Sequence, residues 1–236
     1  MDFDDQGFPR PQTPVPPEPP FPVAPPPSLL GRFIRLFTSP RTAWTLPLGH
    51  RVWIAALIVI ADMQLAQGWL LRDLVVEQMT TSMSQNERLT EEQRELILER
   101  TARAFSSFGS YLPQGVIGVL WTIGVGFLIP ALIYLLGLNF GLGGRAAFSD
   151  ILAVTAFSGL VTVVRDLIRV PLMLSRESLY VFVSPAALVD PENRALLAAL
   201  DRFDVFALYR LLLLAVGFSV IAGLRTSRTA LLVLLV

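Results

Sequence analysis

The stretch VWIAALIVIADMQLAQGWLL, residues 52–71, decides the fold of this chain. Asp62 is its one charged residue, and about 20 apolar residues at about 1.5 Å each cross the hydrocarbon core of a bilayer. The stretch therefore predicts a membrane-spanning helix. Three stretches of the same kind follow, near residues 112–136, 151–174 and 205–224. The sequence predicts an all-α polytopic membrane protein, a helical bundle of four spans with the start of a fifth.

The composition of the whole chain agrees with a protein of the lipid bilayer. Of the 236 residues, 53% are hydrophobic and 16% charged, and the mean hydropathy is +0.57, whereas soluble domains carry about 25% charged residues. Nineteen arginines balance 19 acids, so the overall positive field of a nucleic-acid binder is missing. Lysine and cysteine are absent and His50 is the one histidine. The sequence thus predicts no catalytic, cofactor or metal site.

The chain before the first span divides into two regions. Residues 1–27 contain 11 of the 18 prolines, and since proline fixes φ and removes an amide donor, we expect a disordered, Pro-rich tail. Residues 28–51 are predicted to form an interfacial amphipathic segment, with Ser28 as the cap of a short helix. The transmembrane domain then covers residues 52–236. It includes a helical insertion at residues 72–110, where Thr90 and Gln93 make a capping-box pattern.

The membrane topology is predicted from the charges of the loops and from the apolar run at the carboxyl end. Residues 28–51, 137–149 and 225–228 carry seven arginines and no acid, which predicts that they and the amino terminus are cytoplasmic and that the insertion is extracytoplasmic. A fifth apolar run, residues 229–236, stops after eight residues. Eight residues cannot cross a bilayer, so either the chain ends as half a helix or a longer natural protein has been cut.

Polar side chains within the spans are the candidate functional residues, because each is costly in hydrocarbon. Asp62 lies near the middle of the first span, and we expect it to face the bundle interior, either protonated or paired with Arg210 or Arg165. The third span places Asp166 and Arg169 three residues apart. These groups suit a proton or ion path, a groove for a lipid headgroup, or a structural ion pair with arginines that reach the interface. The candidates so far are Asp62, Gln64, Arg165, Asp166, Arg169 and Arg210.

The residues of the fourth span resemble a known family. The run Asp204-Val-Phe-Ala-Leu-Tyr209, continued by Leu224-Arg-Thr-Ser-Arg-Thr-Ala-Leu231, is similar to the carboxy-terminal signature of the bacterial branch of the Yip family. These are small five-span membrane proteins related to the Rab-interacting factors of eukaryotic vesicle traffic. Members usually have tryptophan where this chain has Tyr209. Asp204, which opens the signature, joins the candidate polar residues.

The resemblance implies five spans, a cytoplasmic amino terminus and no known catalytic residues, and the incomplete fifth span suggests truncation. We therefore expect a non-enzymatic integral membrane protein, placed in a bacterial inner membrane, that organises protein or lipid partners or other copies of itself. One alternative is a small transporter or channel component that uses Asp62 with Arg165, Asp166 and Arg169. Another is an accessory subunit of a larger membrane complex. We expect no cofactor and no nucleic-acid partner.

Overall fold

The structure, a computed structural model, describes residues 28–45, 50–84, 90–179, 181 and 204–236. Its regular elements are helices, numbered here in chain order. Two π-helical turns, Gly124–Leu128 and Gly137–Gly141, follow α6 and α7 respectively. The α-helices are α1 (Leu29–Thr38), α2 (Pro40–Trp44), α3 (His50–Leu70), α4 (Arg72–Ser84), α5 (Glu91–Ala104), α6 (Phe108–Ile123), α7 (Ile129–Leu136), α8 (Phe148–Ser175), α9 (Val205–Ala222) and α10 (Thr226–Leu235).

Four helical stretches of the described chain are long and apolar enough to cross a membrane: Arg51–Leu70, Phe108–Gly141, Phe148–Ser175 and Val205–Ala222. These confirm the predicted all-α polytopic fold. The second span is longer than predicted at both ends, since the second π-helical turn extends it to Gly141. At its other end α6 starts at Phe108, where the Ser107 hydroxyl accepts a hydrogen bond from the Ser110 N–H at 3.2 Å. An oxygen of this kind satisfies one of the free amides of a helix start.

The third span, α8, lies at the centre of the bundle, and α3, α7 and α9 all pack against it. In the most apolar 18-residue stretch of this span 61% is buried, whereas the corresponding values for the first, second and fourth spans are 22%, 17% and 33%. Two glycines allow the close approach of the helices. A Cβ at Gly159 would lie 2.6 Å from the Phe127 ring, and one at Gly217 would lie 2.5 Å from Val154. Small residues at such contacts let helix backbones approach each other in a membrane.

The predicted amphipathic helix is present as α1, capped by a hydrogen bond from the Gly31 N–H to the Ser28 hydroxyl. The α1–α2 pair packs along α9. The Tyr209 hydroxyl donates a hydrogen bond to the Leu36 carbonyl oxygen at 2.5 Å, and Trp44 lies 3.2 Å from where a Cβ at Gly217 would stand. Positions 209 and 217 are about 12 Å apart along a helix, so the pair follows α9 over that length.

In the described part of residues 72–110, α4 and α5 precede the second span, and the extracytoplasmic placement of this insertion stays a prediction. Thr90 and Gln93 form the predicted capping box, with the Gln93 N–H donating to the Thr90 hydroxyl at 3.3 Å. The apolar run near the carboxyl end forms α10, which packs on α9. There the Thr229 hydroxyl donates to the Ala215 carbonyl oxygen at 2.7 Å. The predicted tail, residues 1–27, lies outside the described residues.

Candidate functional site: polar residues within the spans

An ion-pair cluster joins the third and fourth spans. Arg165 of α8 donates from Nε to Asp166 Oδ1 at 2.9 Å, and its Nη1 lies 3.7 Å from Asp204 Oδ2. The Asp204 side chain is 8% exposed, and its Oδ1 accepts the Phe206 N–H at 2.9 Å as the cap of α9. One carboxylate therefore satisfies both a helix start and a neighbouring guanidinium. The cluster ties the beginning of α9 to α8.

Arg169 takes a different partner from its neighbour in the helix. Its Nε donates to the Val181 carbonyl oxygen at 2.9 Å, while Asp166 is bound by Arg165. Asp166 and Arg169 lie one helical turn apart, but each binds a different partner and they do not bind each other. Arg169 thus anchors the chain that leaves α8, and it is not part of the ion-pair cluster.

Arg210 of α9 contacts an aromatic ring. Its guanidinium carbon lies 5.5 Å from the centroid of the Phe127 ring in the second span. Its Nε is buried and has no hydrogen-bond partner among the described residues. A cation over an aromatic face gains about 2 kcal/mol when it is desolvated. Arg210 therefore connects the fourth span to the second through the π-helical turn that carries Phe127.

Gln64 joins the first two spans. Its Nε2 donates to the Thr122 hydroxyl at 2.7 Å, a contact between α3 and α6. The sequence singled out Gln64 but gave no means of finding Thr122, since the two residues are 58 positions apart. Tyr209 was likewise noted only as a departure from a family signature, and its hydrogen bond to Leu36 was not predicted.

The expectation that Asp62 faces the bundle interior is wrong. Its side chain is exposed, and within the described residues it pairs neither with Arg165, which is engaged by Asp166 and Asp204, nor with Arg210. The physical reason is helical periodicity. Ile60 and Gln64 face α8 and α6, and a residue between them on the sequence points about 160° away from both, at about 100° per residue.

A model of the Yip1 domain family matches residues 34–236. The match covers all four spans, the Arg165–Asp166–Asp204 cluster and α10. Comparisons with the curated proteins and with the solved structures returned no match. The family match agrees with the membrane-spanning helices of the structure, and the resemblance at the fourth span is confirmed for the family. The chain is an integral membrane protein and belongs to the Yip1 domain family.

Proposed function

We propose that this chain is a non-enzymatic membrane protein of the Yip type that organises protein or lipid partners in the bilayer. The observation that carries the proposal is the uneven burial of the spans: α8 is enclosed, while the second span turns large apolar side chains outward. Ile117 and Trp121 are 66% and 71% exposed. Membrane helices use such faces for contact with lipid or with other helices.

The polar residues of the spans support the same proposal. Arg165 binds both Asp166 and Asp204, and Gln64 binds Thr122. A path for ions would instead require polar groups that are free to exchange partners across the membrane. The contacts of the cluster favour a role in holding α8 and α9 together. Partners would then bind on the outer faces of the bundle.

Placement and orientation belong to the same proposal. We infer a bacterial inner membrane from the resemblance of the fourth span to the bacterial branch of the family. We infer a cytoplasmic amino terminus from the acid-free, arginine-rich loops. The Pro-rich tail would then reach into the cytoplasm, up to about 80 Å if 27 residues were extended at roughly 3.1 Å each. A tail of that length can capture partners at a distance from the bilayer.

A small transporter is the second candidate, because Asp62 stands at membrane depth without a charged partner among the described residues. A single acid of this kind can bind and release a proton. Reconstituting the chain in liposomes that contain a pH-sensitive dye separates the two functions. If the chain is an organiser, liposomes with the wild type should show no more proton flux than liposomes with Asp62→Asn. Flux that Asp62→Asn abolishes, at equal incorporation, would favour the transporter.

The organiser function is tested directly by identifying the lipids and proteins that bind to the chain. The chain is extracted together with its surrounding lipid by a membrane-solubilising polymer, and bound species are quantified by mass spectrometry. A lipid or protein present in a fixed ratio to the chain is the expected result. A matched four-span protein of another family, extracted in parallel, controls for bulk lipid. Material that carries only the bulk lipid mixture and no protein would contradict the proposal.

A further inference from the structure

Asp62 belongs to an outward face of α3. Exposed side chains recur every four residues along it, which places them in a stripe on one side of the helix. We call this stripe the Asp62 face, and it consists of Ile54, Ile58, Asp62, Ala66 and Leu70. Ile58 and Leu70 are 55% and 50% exposed. None of the described helices covers the face.

The two packed sides of α3 lie opposite this stripe. The Cδ1 of Ile60 lies 3.2 Å from the position that a Cβ on Gly159 of α8 would take. Gln64 is hydrogen-bonded to α6. With about 100° between successive residues, Asp62 points about 160° away from each of them. The carboxylate therefore faces whatever surrounds the bundle, and neither α6 nor α8 can supply its partner.

The depth of Asp62 limits what that partner can be. The span runs over Arg51–Leu70, 20 residues, and Asp62 lies about 16 Å from its first residue at about 1.5 Å per residue. This is near the bilayer midplane, where an unpaired charge is costly. An amine of a lipid headgroup stays at the interface, about 15 Å away. A cation that meets Asp62 must therefore be carried by something that itself crosses the membrane.

We propose that the Asp62 face binds a transmembrane helix of another protein that carries an arginine or lysine at its centre. Charge complementarity selects this occupant, since a guanidinium or ammonium would neutralise the carboxylate in hydrocarbon. A second copy packed face to face would bring two Asp62 carboxylates together, and like charges at close range disfavour that pairing. Ala66, one turn from Asp62, lets the partner backbone approach closely.

The inference rests on the proposed function, because it names the class of partner that one face of the organiser holds. The test uses the full chain with a donor dye on a cysteine replacing Thr80, which is exposed on α4. The chain contains no other cysteine. Acceptor-labelled synthetic helices of leucine and alanine, with a central arginine or a central leucine, are titrated in lipid vesicles. Energy transfer reports their association.

The central-arginine helix is expected to bind more tightly than the central-leucine helix. Asp62→Asn should weaken that binding about 3- to 30-fold, as expected for one polar contact between membrane helices. Asp73→Asn is the matched control, because Asp73 is exposed on α4 just beyond the span. It should leave the affinity unchanged. Equal affinities for the two helices, or for the wild type and Asp62→Asn, would overturn the inference.

A charge reversal gives a second, independent measurement. The Asp62→Arg variant should bind the central-arginine helix more weakly than the wild type does. It should bind a helix with a central aspartate more tightly. Because the Asp62 face contacts no described helix of the bundle, Asp62→Asn and Asp62→Arg should both leave membrane insertion of the chain intact. Absence of the reversal would overturn the inference but leave the organiser function standing. Proton flux that Asp62→Asn abolishes in the liposome assay would instead contradict the proposed organiser function itself.

Discussion

Asp204 serves two partners with one carboxylate, so its variants separate a cap from an ion pair. Asp204→Ala removes the acceptor of the Phe206 N–H and the partner of Arg165. Loss of a helix cap costs about 1–2 kcal/mol, and we expect the free energy of unfolding in mixed detergent micelles to fall by that amount. Asp204→Asn keeps an oxygen for the cap and should lose less. Equal stabilities of the wild type and Asp204→Ala would contradict this role.

Tyr209 fastens the amino-terminal helices through one hydroxyl. Tyr209→Phe removes the hydrogen bond to the Leu36 carbonyl oxygen and keeps the ring that stacks on Phe37. The expected loss is about 1 kcal/mol of unfolding free energy. Protease cleavage within α1 should rise in step, because α1 would separate from α9 more often. Unchanged stability together with unchanged cleavage would show that this bond does not hold α1.

Asp62 shows where sequence reasoning stops for a single side chain. Its presence at the middle of a span was plain from the sequence. Its direction was not, because the outward stripe through Ile58 and Ala66 is as apolar as the inward stripe through Ala56 and Ile60. In a soluble helix the polar stripe marks the surface. In a membrane both stripes are apolar, so periodicity does not distinguish the lipid side from the bundle side.

Among the elements, the contacts of α8 depend on glycine at particular positions. A Cβ at Gly159 would meet the Phe127 ring and Ile60, whereas one at Gly118 of α6 would meet nothing within 4 Å. Overpacking a closely packed site costs typically about 1–3 kcal/mol. We therefore expect Gly159→Ala to lower the melting temperature in detergent. Gly118→Ala, the matched control, should leave it unchanged or raise it slightly. The same loss in both variants would contradict the central position of α8.

Two helix starts could be predicted from local sequence, while the contacts between helices could not. The Ser28 cap and the Thr90–Gln93 box are local patterns, and both are present in the structure. The π-helical turns were not predicted, because Gly124 and Gly137 open them but other described glycines, such as Gly118, lie in ordinary α-helix. Packing of α1 on α9 joins residues 173 positions apart. Without homologous sequences, no pattern in one chain signals such a contact.

At the level of the whole molecule, the proposed orientation can be read from two labels. Single cysteines replace Ser28, before α1, and Ala102, which is exposed on α5. With a cytoplasmic amino terminus, an impermeant maleimide added to intact cells should label position 102 and leave position 28 unlabelled until the cells are opened. A cysteine at Arg228, which is exposed in the first turn of α10, should behave like position 28. Labelling of position 28 from outside intact cells would contradict the proposed orientation.

The most direct test of the account is a nitroxide scan along α3 in lipid vesicles. The cysteine-free chain accepts one spin label at a time from residue 54 to residue 70, and collision with oxygen reports contact with the lipid interior. If α3 packs on α8 and α6 through one side, oxygen accessibility should peak at 54, 58, 62, 66 and 70. It should fall at 56, 60 and 64. A minimum at position 62 would place Asp62 inside the bundle and contradict both the arrangement of the spans and the partner-binding face.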